Sequence, residues 1–297
     1  MSMRLSRRSG AGAAAAMVLL CICGWAGGEE KVSFIRIEYL SSDVMGPPET
    51  LTIMSDGVAR FESYSNLLSA GRDPVGLFET RFNASQLADL SRAIDAPPFE
   101  NIPSRRVAPD GYRSIRVTRQ SGTAERRADH RMAVDPAMKK LMERLDRLED
   151  QVKGNPVRVL LLRAASVNTN RDNGLEAVLT FTNPGIQALR MVNPAYSGGA
   201  GLRVRVQPDI PGAQLKSTDI AEGKAFEVHQ IGPPSETPEG VIQLEAGGSL
   251  SLRVKFGLAR KPADPSLARF SYQQTAQEWN GQPVLATELY SSNVPIQ

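Results

Sequence analysis

The stretch LEDQVKGNPVRVLLLRA, Leu148–Ala164, changes its periodicity in the middle. Upstream of Gly154, apolar residues fall at helical spacing. Met138, Leu141, Met142, Leu145 and Leu148 recur every three or four positions, a stripe one helix face can bury. Downstream of Pro156, Val157 and Val159 flank Arg158 before a leucine run, which is strand grammar. Gly154-Asn155-Pro156 separates the two, because glycine ends helices readily and proline cannot continue one. Every helical signal lies before this point and none lies after it.

Working back towards the N-terminus, Asp135-Pro136 supplies a cap and a first-turn proline for the striped helix, with Glu143 and Arg147 spaced to pair. Ser114-Ile-Arg-Val-Thr118 alternates, turns at Gln120-Ser121-Gly122 and returns through Thr123–Arg127. Asn83-Ala-Ser-Gln86 reads as a capping box opening a helix whose Leu87, Leu90 and Ile94 share a face, with Pro97-Pro98 as its stop. The Asn-Ala-Ser sequon inside it is better explained by the cap. Ile35, Ile37 and Tyr39 alternate with charged residues. Asp56-Gly57 joins Leu51–Ile53 to Val58–Phe61 as a hairpin, and Leu77–Phe82 is a further strand. Residues 32–153 are therefore expected to form an α+β domain, an antiparallel sheet with two helices.

Towards the C-terminus, strand-like runs recur between turn signals: 157–165, 175–182, 186–192, 202–206, 225–231, 241–244, 249–256, 268–273 and 284–290. Such recurrence without helices predicts an all-β sandwich over 156–297. Two phrases, Leu175-Glu-Ala-Val-Leu-Thr-Phe-Thr-Asn-Pro184 and Leu244-Glu-Ala-Gly-Gly-Ser-Leu-Ser-Leu-Arg-Val-Lys-Phe256, resemble the immunoglobulin-like domains of exported bacterial proteins. That resemblance covers about half of the chain beyond the N-terminal segment. It implies an immunoglobulin-like fold and carries no functional residues. The antibody cysteine and tryptophan core is absent. Through Asp56-Gly57-Val58 and the Ser85–Leu90 helix, the first half resembles small secreted α+β domains of unknown function.

The N-terminus has its own pattern. Arg4, Arg7 and Arg8 precede an uncharged run whose apolar centre is Ala13–Ile22, and Gly24-Trp25-Ala26-Gly27-Gly28 follows. This reads as a secretory signal peptide over 1–28, cleaved after Ala26 or Gly28, with a retained anchor as the alternative. Leu20 and Ile22 are poor predecessors for a lipidated cysteine, and Arg7-Arg8 lacks the rest of a twin-arginine signal. Cys21 and Cys23, both cysteines of the chain, would leave with the signal. No disulfide, thiolate metal site or cysteine nucleophile would remain. The expected location is periplasmic or extracellular, associated with the cell envelope. Of 35 basic residues three lie in the signal, leaving 32 against 32 acidic ones. A neutral chain argues against nucleic acid and against a polybasic membrane role.

Little catalytic chemistry is visible. His130 and His229 are the two histidines, one in each predicted domain, and the bland reading of His130 beside Asp129 and Asp135 is a solvated loop. G-x-S-x-G, H-E-x-x-H, P-loop and G-x-G-x-x-G patterns are missing. Ser197-Gly-Gly-Ala-Gly201 reads as a flexible hairpin loop, since a phosphate loop should run from a strand into a helix. Asn168–Gly174 has oxygen ligands at alternate positions, but Arg171 and a late glycine favour a turn over a calcium loop. No cofactor or metal is expected. The remaining candidates for contact are the stiff polar segment with Pro233, Pro234, Ser235, Glu236, Thr237 and Pro238, which reads either as a recognition surface or as a spacer, and Trp279, which reads as a half-buried anchor near a strand end in preference to an exposed contact residue. The expected function is non-catalytic binding to another envelope protein. The alternatives are an envelope hydrolase of peptides or glycans using first-domain carboxylates, and a protease inhibitor with 232–240 as bait.

Overall fold

The computed structural model describes residues 32–42, 49–96, 112–129, 136–169, 174–210, 216–232, 240–262, 265–275, 277–279 and 281–297. In the first part the strands are β1 (Arg36–Ser42), β2 (Glu49–Met54), β3 (Val58–Ser63) and β4 (Val75–Arg81), then helix α1 (Ala84–Asp95), β5 (Tyr112–Arg119), β6 (Gly122–Asp129) and helix α2 (Pro136–Lys153). Then come β7 (Pro156–Thr169), β8 (Gly174–Thr182), β9 (Leu189–Val192), β10 (Leu202–Pro208), β11 (Ala221–Ile231), β12 (Val241–Leu244) and β13 (Ser249–Leu258). The last strands are β14 (Ser266–Gln274), β15 (Glu278–Trp279), β16 (Gln282–Pro283), β17 (Thr287–Tyr290) and β18 (Val294–Pro295). Among the described residues the chain is mostly antiparallel sheet with two α-helices. The main sheet runs β17-β14-β10-β11-β13-β8-β7-β4-β3-β2-β1-β5-β6, with β18 beside β14. Separate two-stranded sheets pair β9 with β12 and β15 with β16.

The stretch read first, Leu148–Ala164, is where the sheet passes from one hydrophobic core to another. The start of β7 pairs with β4, Gly76 opposite Val159 and Val75 opposite Leu160. From Leu161 onward β7 pairs instead with β8, Leu162 opposite Phe181. Val159 packs into a core made by Ile37, Tyr39, Leu51, Ile53, Phe61 and Ile115 under the two helices. Leu160 and Leu162 enter a second core with Phe181, Phe256, Phe270 and Tyr272. A register shift in β7 falls between Ala165 and Asn168, where Ser166 takes a left-handed φ of 53°. The C-terminal strand then returns to β7: Gln297 N donates to Val167 O at 2.9 Å.

Local chemistry explains the helices. Asn83 Oδ1 accepts from Gln86 N at 2.9 Å and Gln86 Oε1 accepts from Asn83 N at 3.0 Å, a complete capping box. Leu87, Leu90 and Ile94 are buried beneath α1, and Met138, Leu141, Leu145 and Val152 beneath α2. Asp56-Gly57 makes the β2–β3 hairpin as expected.

Some boundaries differ from the sequence reading. Strand β9 begins at Leu189, not Ile186, because Ile186 N and Gln187 N are held by Pro156 O and Val157 O, which bends the chain. Strand β17 begins at Thr287, not Val284, because Val284 N and Leu285 N donate to Gln277 O and Arg190 O. Glu143 lies 4.0 Å from Lys139 across one turn, rather than pairing with Arg147. Ser197–Gly201 is not a hairpin loop: it joins β9 to β10, which are not paired with each other. Gly201 is in the left-handed region at φ 85°, and a Cβ there would stand 2.3 Å from Gln273 O, so this turn is built against β14. Asp135, Pro97, Pro98 and the first thirty-one residues lie outside the described residues.

Candidate functional site

Beside β3 and β4, two concavities bring polar side chains together. The first, of about 530 Å³, lies where the β3–β4 hairpin meets β7, β9 and β12. Its walls carry Glu62, Tyr64, Arg158, Arg190, Gln243 and Leu285. These side chains arrive from well-separated parts of the chain because β4 pairs with β7 and β12 pairs with β9. Gly76 permits the close β4–β7 crossing: its φ is 137°, and a Cβ would stand 2.2 Å from Arg158 O.

Within this groove Tyr64 OH donates to Glu62 Oε2 at 2.7 Å. That bond, then burial and the Glu62 charge, pushes the phenol up to about 12, so it stays a hydrogen-bond donor at neutral pH. Arg190 Nε donates to Gln243 Oε1 at 3.4 Å, and Gln243 Nε2 donates to Glu245 Oε1 at 2.7 Å. Leu285 N donates to Arg190 O at 2.9 Å, which ties that part of the wall to β9. The result is a groove with a carboxylate–phenol pair, two guanidinium groups and amides, suited to holding an extended polar segment.

The second concavity, of about 370 Å³, gathers Glu49, Asp73, Asp150, Lys153 and Phe61. Lys153 Nζ donates to Glu149 Oε1 at 2.7 Å and lies 4.4 Å from the Phe61 ring centre. Burial raises the pKa of Glu149, against the opposing pull of Lys153. Burial works against the Lys153 charge, but its bond to Glu149 and the charges of Glu149, Glu49 and Asp150 outweigh that and hold its pKa above the usual value.

The residues singled out from sequence do not converge. Pro233, Pro234, Ser235, Glu236, Thr237 and Pro238 lie outside the described residues, as do His130 and most of the 168–174 loop. Trp279 falls in β15, opposite Gln282 of β16, at the side of the 277–285 segment. His229 is exposed, with Nε2 2.8 Å from Glu227 Oε1 on the outer face of β11. Among the described residues no group of three or more His, Cys, Asp or Glu is arranged to hold a metal ion. None of their helices is long and apolar enough to cross a membrane. Sequence reasoning missed Glu62, Tyr64, Arg158 and Arg190. Arg158 between Val157 and Val159 was the available signal, an outward charge at a strand start.

Neither a family model nor a curated protein matches this chain. Among solved structures it is similar to AvmM, described as catalysing macrocyclization in alchivemycin A biosynthesis, at 13% identity over 48% of this chain and 87% of that one, with a TM-score of 0.24. It is also similar to an inactive mutant of a GH20 exo-β-N-acetylglucosaminidase from Vibrio harveyi, at 16% identity over 46% of this chain and 18% of that one, with a TM-score of 0.17. Likenesses at these scores carry no argument about fold or activity.

Proposed function

We propose that this chain is an exported, non-catalytic cell-envelope protein that binds another protein. In this reading its α+β part and its immunoglobulin-like sandwich share strand β7. The division is supported by the two cores that β7 joins and by the placement of both helices over the first of them. Export is supported by the Arg4, Arg7, Arg8 and Ala13–Ile22 pattern. The observation that carries the binding reading is the groove between β3–β4 and β9–β12. It offers hydrogen-bond donors and acceptors on both walls to an extended partner segment. A photo-crosslinking residue placed at Gln243 in the full chain, expressed in its native host, should yield a discrete conjugate. The same residue at Lys139, on the exposed side of α2, should not. Equal labelling at both positions, or none at Gln243, overturns the reading. Mass spectrometry of the native protein should find an N-terminus at Gly27 or Glu29.

A hydrolase reading draws on one observation, the gathering of Glu49, Asp73 and Asp150 in one pocket. Lys153 and its bond to Glu149 give that cluster a structural explanation, which makes it the weaker reading. Peptide or glycan hydrolysis abolished by Asp150→Asn without loss of fold would reverse the order.

A further inference from the structure

The outer face of the β17-β14-β10-β11 layer carries cations in an arrangement that folding alone disfavours. Along β10, Leu202, Val204 and Val206 point into the core, and Arg203 and Arg205 point out. Arg205 is directly opposite Arg269 of β14, and Arg203 directly opposite Lys224 of β11. Like charges directly opposite on neighbouring strands destabilise a sheet. None of these four cations forms an ion pair among the described residues; Glu222 lies opposite Arg205 in register, and Glu288 of β17 is occupied by Tyr290 OH, which donates to its Oε1 at 2.7 Å.

Arg269 is further committed. Its Nη2 donates to Leu67 O at 3.1 Å, its guanidinium lies 4.7 Å from the Tyr290 ring centre, and its Nε is buried without a hydrogen-bond partner. Burial, with the charge of Arg205, pulls its pKa below the usual value. A concavity of about 570 Å³ opens over this layer, bordered by Arg203, Arg205, Lys224, Leu258 and Tyr290.

An apolar element adjoins the cations. Phe226, 60% exposed, sits at the β11 bulge beside Lys224. Its ring lies 3.8 Å from where a Cβ on Gly257 would stand, and Gly257 is opposite Lys224. We infer that this face is a docking surface for an acidic segment of a partner protein, one that presents at least two carboxylates to Arg203, Arg205 and Lys224 and an apolar side chain to Phe226. The inference rests on the protein-binding reading above and names a second surface and the chemistry of its partner. Bidentate guanidinium–carboxylate pairing would offset the like-charge repulsion. A uniformly phosphorylated polymer fits less well. It would leave the exposed Phe226 unused.

The test titrates the full chain with poly-L-glutamate, a random glutamate–tyrosine copolymer and inorganic tripolyphosphate. Poly-L-glutamate should bind and weaken as salt rises. The copolymer should bind more tightly. An Arg203→Gln/Arg205→Gln double variant should fold with unchanged or higher thermal stability and bind both polymers at least tenfold more weakly. Phe226→Ser should remove the copolymer's advantage alone. Polymer binding unaffected by the double variant overturns the inference, as does tripolyphosphate binding at least as tightly as poly-L-glutamate. A Gln243 conjugate that persists in the double variant, alongside unaltered polymer binding, would sink this surface and leave the groove reading standing.

Discussion

Asn183 illustrates how much one buried amide can organise. Its side chain is fully buried, and Nδ2 is within 2.8 Å of Gln187 O, 3.0 Å of Leu244 O and 3.1 Å of Glu245 O, while Oδ1 accepts from Gly185 N. The runs Leu175–Pro184 and Leu244–Phe256 therefore meet at this amide. Asn183→Ala should cost about 2–4 kcal/mol, because it leaves buried carbonyls without a donor. Asn183→Asp should be worse at pH 7 than at pH 4, since an ionised carboxylate would face three carbonyl oxygens whereas its protonated form donates to one. Urea midpoints of both variants at the two pH values check this. Tyrosines give a second pH signature. Tyr39, buried and donating to Asp146 at 2.7 Å, has its pKa raised first by burial and then by that carboxylate. Burial raises Tyr272 as well, and Tyr64 and Tyr290 are pushed up to about 12. Unfolded tyrosine loses its proton near pH 10. Above that pH the unfolded state binds fewer protons than the folded one, so stability is intact below about pH 10 and falls as pH rises towards 12. Lys153, also raised, adds to the same slope. Urea midpoints from pH 8 to 12 should show the fall, and Tyr39→Phe should flatten it.

Elements whose signals are local were legible, and those whose ends are set by distant bonds were not. The capping box at Asn83 and Gln86 is written in four residues, and both of its hydrogen bonds form. Asn83→Ala should lower stability by about 1 kcal/mol, and Asn83→Ser should restore most of it, measured by thermal unfolding. The α2 stripe was equally clear because periodicity reports burial directly, and Met138, Leu141 and Leu145 are buried. Ile186 was misread for the opposite reason. It is apolar and sits among strand residues, yet it is 75% exposed, because the bend around Asn183 takes it out of the ladder. Nothing adjacent to Ile186 in sequence encodes the Pro156 carbonyl that receives its N–H. The groove was illegible on the same grounds. Glu62, Arg158, Arg190 and Leu285 become neighbours only after β7 chooses β4 and β12 chooses β9.

At the scale of the whole molecule, Gly154-Asn155-Pro156 ends α2 and opens β7, and the change of sheet partner follows inside that strand, between Leu160 and Leu161. The chain leaves α2, enters β7 at Pro156 and bonds to β4 and then to β8 without leaving that strand. Val75 of β4 packs in the second core while Phe78 of the same strand packs in the first, and Val159 and Leu160 divide in the same way. Cores stitched through two shared strands should not melt independently. Residues 32–297 should therefore unfold in one cooperative transition, with the calorimetric and van't Hoff enthalpies in agreement. Gly76 is the point on which this coupling turns. At φ 137° and with Arg158 O in the position a Cβ would crowd, Gly76→Ala has to move β4 away from β7. The expected cost is about 1–3 kcal/mol. Because the crossing also shapes the groove wall, the variant should lose the Gln243 crosslink while remaining folded. Calorimetry of the variant should show a broadened transition with the van't Hoff enthalpy below the calorimetric one. A wild-type trace with two transitions, or a Gly76→Ala trace as sharp as wild type, would show that the shared strands do not couple the two cores.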